Sequence, residues 1–226
     1  MSKSNVIIVD LGTGNLRSVS KAVSFVDRDA RVTVSANPEE IRNAGHLILP
    51  GQGAIGTWFG QLTRNKDLMD AVGERLKFGP VLGICLGLQA LYDSSEENGG
   101  IQGLGVLKGR VHHFRTHPAH QCDSGADGYD ANARLKIPHM GWNRISINNR
   151  HPLWDGIENG ERFYFVHSYY AETENPDQVM GECEYGNIFT AAAGTSNVFA
   201  TQFHPEKSQH AGLQLLKNFL NWNGAV

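Results

Sequence analysis

The sequence has few cysteines, no long apolar run and no excess of positive charge. Its three cysteines, Cys85, Cys122 and Cys183, are an odd number spread widely along the chain, which does not describe a disulfide framework. No apolar stretch approaches the length that spans a bilayer, and the short run after Met1 is too brief for a signal peptide. The net charge of −3 argues against nucleic acid as a partner. We therefore expect a cytoplasmic protein whose thiols act separately.

The composition is that of a folded protein. Hydrophobic residues make up 40% of the sequence and charged residues 19%, far from the composition of disordered chains. A length of 226 residues suits one α/β domain, and neither a repeat nor a Pro-rich linker divides the chain. We expect a single domain over residues 1–226.

The order of apolar runs predicts the fold class. In the first half, short apolar runs alternate with helical patterns, which indicates βαβ units and a parallel sheet. Strands are expected at 6–9, 32–34, 46–49 and 81–84, and helices from residue 16, at 62–76 and at 86–92. The second half has strand-like segments at 106–111, 142–147, 163–170, 188–193 and 198–203, then an amphipathic helix at 212–222. We expect an α/β fold whose mostly parallel sheet is flanked by helices and extended by antiparallel strands.

The segment 115–134 is polar and contains His117, His120 and Cys122. Imidazole and thiolate ligands at short spacing suit zinc, but structural zinc sites need four ligands at recognisable intervals. A solvated surface loop with scattered histidines fits the segment better. No metal site is expected.

The sharpest local signal surrounds Cys85, which has glycines two residues away on both sides, at Gly83 and Gly87. This pattern predicts a tight strand-to-helix turn that presents the thiol, a cysteine form of the nucleophile elbow. The helix N-terminus favours a thiolate, and the N–H of Leu86 is placed to hold an oxyanion. The alternative is that Cys85 is a small buried hydrophobe, as most free cysteines are.

A thiol nucleophile needs a base, and His204-Pro205-Glu206 offers one. On an extended backbone His204 and Glu206 project from one face, so Glu206 can orient the imidazole. Pro205 restricts the backbone between them. Alone, such a pair is usually an ordinary surface pair, and only its combination with the Cys85 turn suggests a triad.

Several motifs resemble those of class I, triad-type glutamine amidotransferases. They are Gly83-Ile84-Cys85-Leu86-Gly87, Gln202-Phe203-His204-Pro205-Glu206-Lys207, Asp10-Leu11-Gly12-Thr13-Gly14-Asn15-Leu16, Leu49-Pro50-Gly51-Gln52-Gly53, Ser95-Glu96-Glu97, Pro138-His139-Met140-Gly141-Trp142-Asn143 and Phe163-Tyr164-Phe165-Val166-His167-Ser168-Tyr169. Within that family they resemble the glutaminase subunits of imidazole glycerol phosphate synthases. The resemblance runs from the first strand to the last helix, and it implies a flavodoxin-like fold.

The resemblance also implies roles for individual residues. Cys85 becomes the nucleophile that forms a glutamyl thioester, His204 the general acid and base, and Glu206 the residue that orients it. Gly51 and Leu86 become oxyanion donors, with the Gly51 peptide turning before it donates. The residues implied to bind glutamine are Gly53, Gln89, Glu97, His167, Ser168 and Tyr169. Glu97 is a chemically suitable partner for the ammonium group, the alternative being an exposed acid.

The resemblance further implies a heterodimer with a TIM-barrel cyclase that uses the ammonia, without any cofactor on this chain. The implied docking residues are Asn15, Met140, Trp142 and Lys207. The alternatives for Trp142 and Lys207 are core packing and a solvated charge. Gln52 departs from the family, in which Val is usual, and the segment 115–134 is longer than in compact relatives.

Three other functions stay open. One is a paralogous glutaminase feeding another synthase, for instance in surface-sugar amination. Another is a non-catalytic scaffold that stabilises a partner, and the last is a free-standing hydrolase that turns over without a partner.

Overall fold

The first half of the chain alternates strands with helices, as its sequence pattern predicts. A computed structural model describes residues 4–118 and 135–225. The strands of this half are β1 (Asn5–Val9), β2 (Arg31–Ser35), β3 (His46–Gly51) and β4 (Val81–Cys85). The helices are α1 (Leu16–Val26), α2 (Pro38–Arg42), α3 (Ile55–Arg64), α4 (Lys66–Lys77) and α5 (Leu86–Gln89).

Asparagine side chains account for two differences from the predicted helices. The single helix expected at 62–76 is two helices, because Asn65 leaves the helical conformation and its side chain accepts hydrogen bonds from the N–H groups of Asp67 and Leu68. The short helix α2 was not expected. It begins after Asn37, whose side chain accepts from the N–H of Glu39. The helix expected to reach residue 92 ends at Gln89.

The second half contributes short, mostly antiparallel strands. They are β5 (Ser94–Ser95), β6 (Ile101–Gln102), β7 (Gly109–His113), β8 (His139–Arg144), β9 (Ser146–Ile147), β10 (Arg162–His167), β11 (Tyr169–Thr173), β12 (Val179–Tyr185), β13 (Asn187–Gly194) and β14 (Val198–Thr201). Helix α6 (Gln209–Asn221) follows. Strand β12 was not expected, and the strand expected at 163–170 is divided at Ser168, where the chain passes from a β8–β10 pair into the main sheet.

The main sheet has a parallel centre and an antiparallel extension. Its order is β2-β1-β3-β4-β14-β13-β11-β7-β5-β6, with β12 and β9 branching from β13. The first five strands are parallel neighbours, and β14 pairs antiparallel with β13. The predicted combination of a parallel centre with antiparallel strands from the C-terminal half is confirmed.

Helices cover both faces of the parallel centre. Alternate residues of β1 point to opposite faces, so Val6 and Ile8 join one apolar cluster while Ile7 and Val9 join the other. Helices α1 and α6 pack on the first face, and α3 and α4 on the second. Among the described residues, no helix is both long and apolar enough to cross a membrane.

This topology brings three chain segments to one edge of the sheet. Strands β3, β4 and β14 are adjacent and parallel, so their carboxyl ends lie side by side. Ligands gather at this edge in open α/β sheets. The residues found there are the end of β3 at Gly51, the end of β4 at Cys85 and the segment that follows Thr201.

Candidate active site

Cys85 occupies a strained turn between a buried strand and a helix. Its φ of 55° and ψ of −103° lie outside the regions that non-glycine residues normally adopt. The turn requires close packing, since a Cβ on Gly87 would lie 1.9 Å from the carbonyl oxygen of Leu49. A Cβ on Gly83 would lie 2.9 Å from that of Ala200. The glycines flanking Cys85 therefore have the steric role that the sequence predicts.

His204 and Glu206 form a buried pair beyond the end of β14. Nδ1 of His204 lies 2.8 Å from Oε1 of Glu206, and the side chains are 2% and 1% exposed. The backbone between them is a 3₁₀ turn, Pro205–Lys207, instead of the expected extended segment. Proline suits the first position of such a turn because its φ is fixed. The hydroxyl of Ser208 donates to the carbonyl of His204 at 2.6 Å and holds the turn closed.

The charges around His204 favour its protonated form. Burial lowers the pKa of the imidazole, but the nearby sulfur of Cys85 and the hydrogen-bonded carboxylate of Glu206 raise it to about 10. Nε2 of His204 is buried and, among the described residues, lacks a partner with good hydrogen-bond geometry. The imidazole thus lies within electrostatic range of the sulfur. Its Nε2 is not engaged by another described residue. This arrangement suits proton transfer through Nε2 of His204.

A cavity of about 530 Å³ opens above Cys85. Its lining includes all six residues predicted to bind glutamine, which are Gly53, Gln89, Glu97, His167, Ser168 and Tyr169. Lys207, expected at a partner surface, also lines it. Pro138, Val166 and Gln52 complete the wall together with Cys85 and Leu86. The predicted nucleophile and the predicted ligand residues therefore share one space.

Two backbone segments flank the sulfur where an oxyanion would form. Leu86 is the first residue of α5, so its N–H has no intrahelical acceptor. Gly51 is the residue of β3 that pairs with Cys85. A Cβ at Gly51 would lie 2.7 Å from that of Leu86 and 2.9 Å from the Trp58 ring, so only glycine fits there.

Glu97 is a carboxylate held at the cavity wall. Burial raises its pKa, and a hydrogen bond from the N–H of Ile55, at 3.2 Å from Oε2, partly offsets this effect. The carboxylate also lies at the N-terminus of α3, since Ile55 is the first residue of that helix. A cationic group in the cavity would find a partly desolvated anion here.

The residues expected at a partner surface lie in different environments. Met140 and Trp142, on β8, are 62% and 37% exposed, so Trp142 is not a core residue. Lys207 has its Nζ 5.9 Å from the centre of the Tyr164 ring. Asn15 caps α1 by accepting a hydrogen bond from the N–H of Ser18, which gives it a structural role.

A family model described as glutamine amidotransferase class-I matches residues 7–222. The chain belongs to this family. Curated relatives cover nearly its whole length. The imidazole glycerol phosphate synthase subunit HisH of Nitrosomonas europaea is 49% identical over 96% of this chain and 98% of its own length. The subunit of the same name from Thiobacillus denitrificans is 45% identical over 97% of this chain and 92% of its own length.

Solved amidotransferases share the fold at much lower sequence identity. A crystal structure described as that of a glutamine amidotransferase superposes with a TM-score of 0.65 at 18% identity, covering 95% of this chain and 97% of that one. A glutamine amidotransferase from Thermotoga maritima superposes with a TM-score of 0.55 at 14% identity, covering 91% of this chain and 77% of that one. These similarities concern the fold alone. They agree with the predicted class-I amidotransferase fold.

Two side chains near the site belong to the amidotransferase-like motifs, but the sequence predicts no role for them. The first is Gln202, whose Nε2 lies 3.7 Å from the sulfur of Cys85. A signal was available in the sequence, because Gln202 and His204 stand two residues apart, a spacing that would place both side chains on one face of an extended segment. The second is His139, which is hydrogen-bonded to His167 at 2.9 Å.

The polar segment considered for zinc is described only in part. His117 lies among the described residues, whereas His120 and Cys122 lie outside them. Within the described part of the chain no group of metal-binding side chains occurs.

Proposed function

We propose that this chain hydrolyses L-glutamine to L-glutamate and ammonia and delivers the ammonia to a TIM-barrel cyclase subunit. The cyclase would form imidazole glycerol phosphate and aminoimidazole carboxamide ribotide in histidine biosynthesis. One observation carries the proposal. The sulfur of Cys85 lies on a strained turn and faces a cavity of about 530 Å³ that is also lined by the residues expected to bind glutamine. The buried His204–Glu206 pair lies within electrostatic range of this sulfur.

Attack by the sulfur begins the proposed reaction. The Cys85 thiolate adds to the carboxamide carbon of glutamine, and the carbonyl oxygen becomes an oxyanion. The N–H of Leu86, and that of Gly51 once its peptide is turned toward the site, would stabilise this charge. Protonated His204 gives its Nε2 proton to the departing nitrogen, so ammonia leaves and a glutamyl thioester remains.

Water completes the cycle. The imidazole, now neutral, takes a proton from a water molecule as that water attacks the thioester carbon. The carbon–sulfur bond breaks, glutamate leaves, and the thiolate and imidazolium are restored. Glu206 keeps Nδ1 protonated throughout, so Nε2 is the nitrogen that transfers protons.

The cavity wall supports glutamine as the substrate. Glu97 is positioned to pair with the α-ammonium, and desolvation of the carboxylate strengthens such a pair. Gln89, Ser168 and Tyr169 supply neutral polar groups in the same cavity. A small zwitterionic amide is consistent with these groups, and no metal ion or organic cofactor takes part in the proposed reaction.

The names of the relatives support the choice of partner. Both relatives are subunits of imidazole glycerol phosphate synthase and align over nearly all of this chain. Met140 and Trp142 offer an exposed apolar surface on β8, whose neighbour Pro138 lines the cavity. Ammonia must reach its acceptor without being protonated by water, so a dry interface beside the cavity is needed. We propose a cytoplasmic heterodimer in which residues 1–226 form one amidotransferase domain.

Glutamate release by the purified chain tests the proposal when it is measured with and without the cyclase and its nucleotide ligand. We expect weak release from the chain alone and strong stimulation in the complex. Strong turnover without a partner would support the free-standing hydrolase. A cyclase that neither binds nor stimulates would indicate the paralogue that feeds another synthase. In the complex, Cys85→Ala should abolish glutamine-dependent synthesis, and unchanged synthesis would instead support the scaffold.

A further inference from the structure

Two buried glutamines connect the sulfur of Cys85 to the backbone of β11. Nε2 of Gln202 lies 3.7 Å from the sulfur, and Oε1 of Gln202 accepts a hydrogen bond of 3.0 Å from Nε2 of Gln89. The same Gln89 nitrogen donates to the carbonyl oxygen of Tyr169 at 3.1 Å. Gln202 is fully buried and Gln89 is 3% exposed. The contacts form a continuous chain from the main chain of β11 to the sulfur.

The hydrogen bonds fix which end of each amide faces which neighbour. The carbonyl of Tyr169 can only accept, so the Gln89 atom beside it must be the NH₂ group. The second hydrogen of that group is directed to Gln202, whose contacting atom must therefore be its oxygen. The other end of the Gln202 amide, which faces Cys85, is then the NH₂ group, a donor without acceptor capacity.

A second chain of hydrogen bonds holds the Tyr169 carbonyl from the opposite side. Nδ1 of His167 lies 2.8 Å from that oxygen, and Nε2 of His167 lies 2.9 Å from Nδ1 of His139. The amide of Asn143 contacts the remaining nitrogen of His139 at 3.3 Å. With both imidazoles neutral, each nitrogen has a matching partner: Asn143 donates to His139, His139 to His167, and His167 to Tyr169. The Tyr169 oxygen thus accepts two hydrogen bonds and is fixed in position.

We propose that the amide of Gln202 is a catalytic hydrogen-bond donor to the Cys85 thiolate, and that Gln89 is the positioning residue that keeps the donor end turned toward the sulfur. The inference rests on the proposed function, because it assigns the amide to the same nucleophile. A fixed donor stabilises a thiolate, since a hydrogen bond to a charged acceptor is stronger than one to a neutral acceptor. It therefore acts whenever the sulfur carries charge, above all when the thiolate leaves the thioester.

The donor also gives Gln89 a role beyond lining the glutamine cavity. Both of its amide hydrogens are used within the protein, by Tyr169 and by Gln202. Its oxygen is the end left to meet a substrate. One side chain thereby joins the ligand cavity to the sulfur donor.

The test follows alkylation of Cys85 by iodoacetamide across pH, with mass spectrometry of the peptide that contains Cys85 to separate it from the other thiols. Gln202→Met has a side chain of similar length without a donor, and Gln202→Glu places a carboxylate beside the sulfur. Gln89→Met leaves Gln202 intact but removes the hydrogen bond that orients its amide. Gln61→Met, on α3 and outside the cavity, is the matched control.

We expect Gln202→Met to slow alkylation at pH 7 by about tenfold and to move the alkylation profile to higher pH. Gln202→Glu should slow it further because like charges repel, and Gln89→Met should have a smaller effect in the same direction. The control should match the unmodified chain. In steady-state assays of the complex, the Gln202 variants should lower kcat for glutamine hydrolysis with little change in KM.

Two results would overturn the inference. One is a wild-type alkylation profile in folded Gln202→Met or Gln202→Glu. The other is a wild-type profile in Gln89→Met. This variant leaves Gln202 unchanged, so it still tests the donor if the Gln202 variants do not fold. The proposed function fails differently: if the complex with Cys85 intact releases no glutamate, the reaction is wrong, while the alkylation profiles still decide whether Gln202 donates to the sulfur.

Discussion

Nδ1 of His204 lies 2.8 Å from Oε1 of Glu206, and the two side chains are almost completely removed from solvent. A carboxylate is buried at such a cost only when a partner compensates for the lost hydration. The partner here is an imidazole that the same carboxylate helps to keep protonated. The pair is therefore best understood as one unit that holds a proton close to Cys85.

Glu206→Gln should break this unit. Removing the carboxylate takes away one of the contributions that raise the pKa of His204 to about 10, so the pKa falls, and the amide no longer favours a proton on Nδ1. We expect kcat for glutamine hydrolysis to drop by about 10² to 10⁴-fold. Steady-state glutamate release by the complex measures the effect. Glu40→Gln, at an exposed position of α2, serves as the control and should leave kcat unchanged.

The buried pair of His139 and His167 predicts an acid-sensitive fold. Burial lowers the pKa of His139 to about 4, and burial together with the neighbouring His139 lowers that of His167 to about 3. Both values lie below the ordinary 6.5, so below about pH 6.5 the unfolded chain binds more protons than the folded one. The contribution of this pair to stability is therefore fully present above pH 6.5 and is lost as the pH falls toward 4 and 3.

Urea unfolding at pH 7 and pH 5 measures the first part of this loss. Between pH 6.5 and about pH 4, protonation of His139 alone should lower the free energy of unfolding by about 3 kcal/mol. His139→Phe, which keeps a ring between Phe165 and Tyr185, should flatten the decline below pH 6.5 and leave the slope between pH 7 and pH 8 unchanged. An undiminished decline in this variant would show that other groups cause the acid sensitivity.

Gly87 and Gly60 provide a matched pair for the packing of the Cys85 turn. A Cβ at Gly87 would lie 1.9 Å from the carbonyl oxygen of Leu49, whereas a Cβ at Gly60 in α3 meets nothing within 4 Å. We expect Gly87→Ala to lower the free energy of unfolding by about 3 kcal/mol, because strand and turn must separate. Gly60→Ala should raise it by about 0.5–1 kcal/mol. Equal effects in thermal or urea unfolding would contradict the steric argument.

Local sequence predicts the Cys85 turn and the parallel strands because both depend on neighbours within a few residues. The spacing of glycines around Cys85 and the apolar runs of β1 and β3 are signals of this kind. The break at Asn65 escaped prediction because apolar periodicity continues through it, and a single capping side chain ends one helix and begins another. Periodicity records burial and contains no information on such a cap.

Contacts across the sheet set a second limit. Gln202 meets Cys85 because β14 pairs with β4, two elements separated by more than a hundred residues. His139 meets His167 because β8 pairs with β10 in a register that places the two opposite each other. The sequence shows the chemical capacity of these side chains, but strand order and register decide which of them touch. The triad was predicted from the Cys85 turn, the His204-Pro205-Glu206 segment and the motif resemblance, whereas the amide and imidazole chains required the structure.

Met140 offers a direct test of the proposed cyclase surface. Its side chain is 62% exposed on β8, so a charge there is solvated in the free chain but loses its water when a partner covers the strand. We expect Met140→Asp to weaken binding to the cyclase by at least about tenfold, measured by titration calorimetry, with an unchanged melting temperature. Met69→Asp is the matched control, since Met69 is 42% exposed on α4. Helix α4 packs on the face of the main sheet opposite to the one that contacts β10, the partner strand of β8. If both substitutions weaken binding equally, or if neither does, β8 is not the docking strand and the partner must reach the cavity by another face.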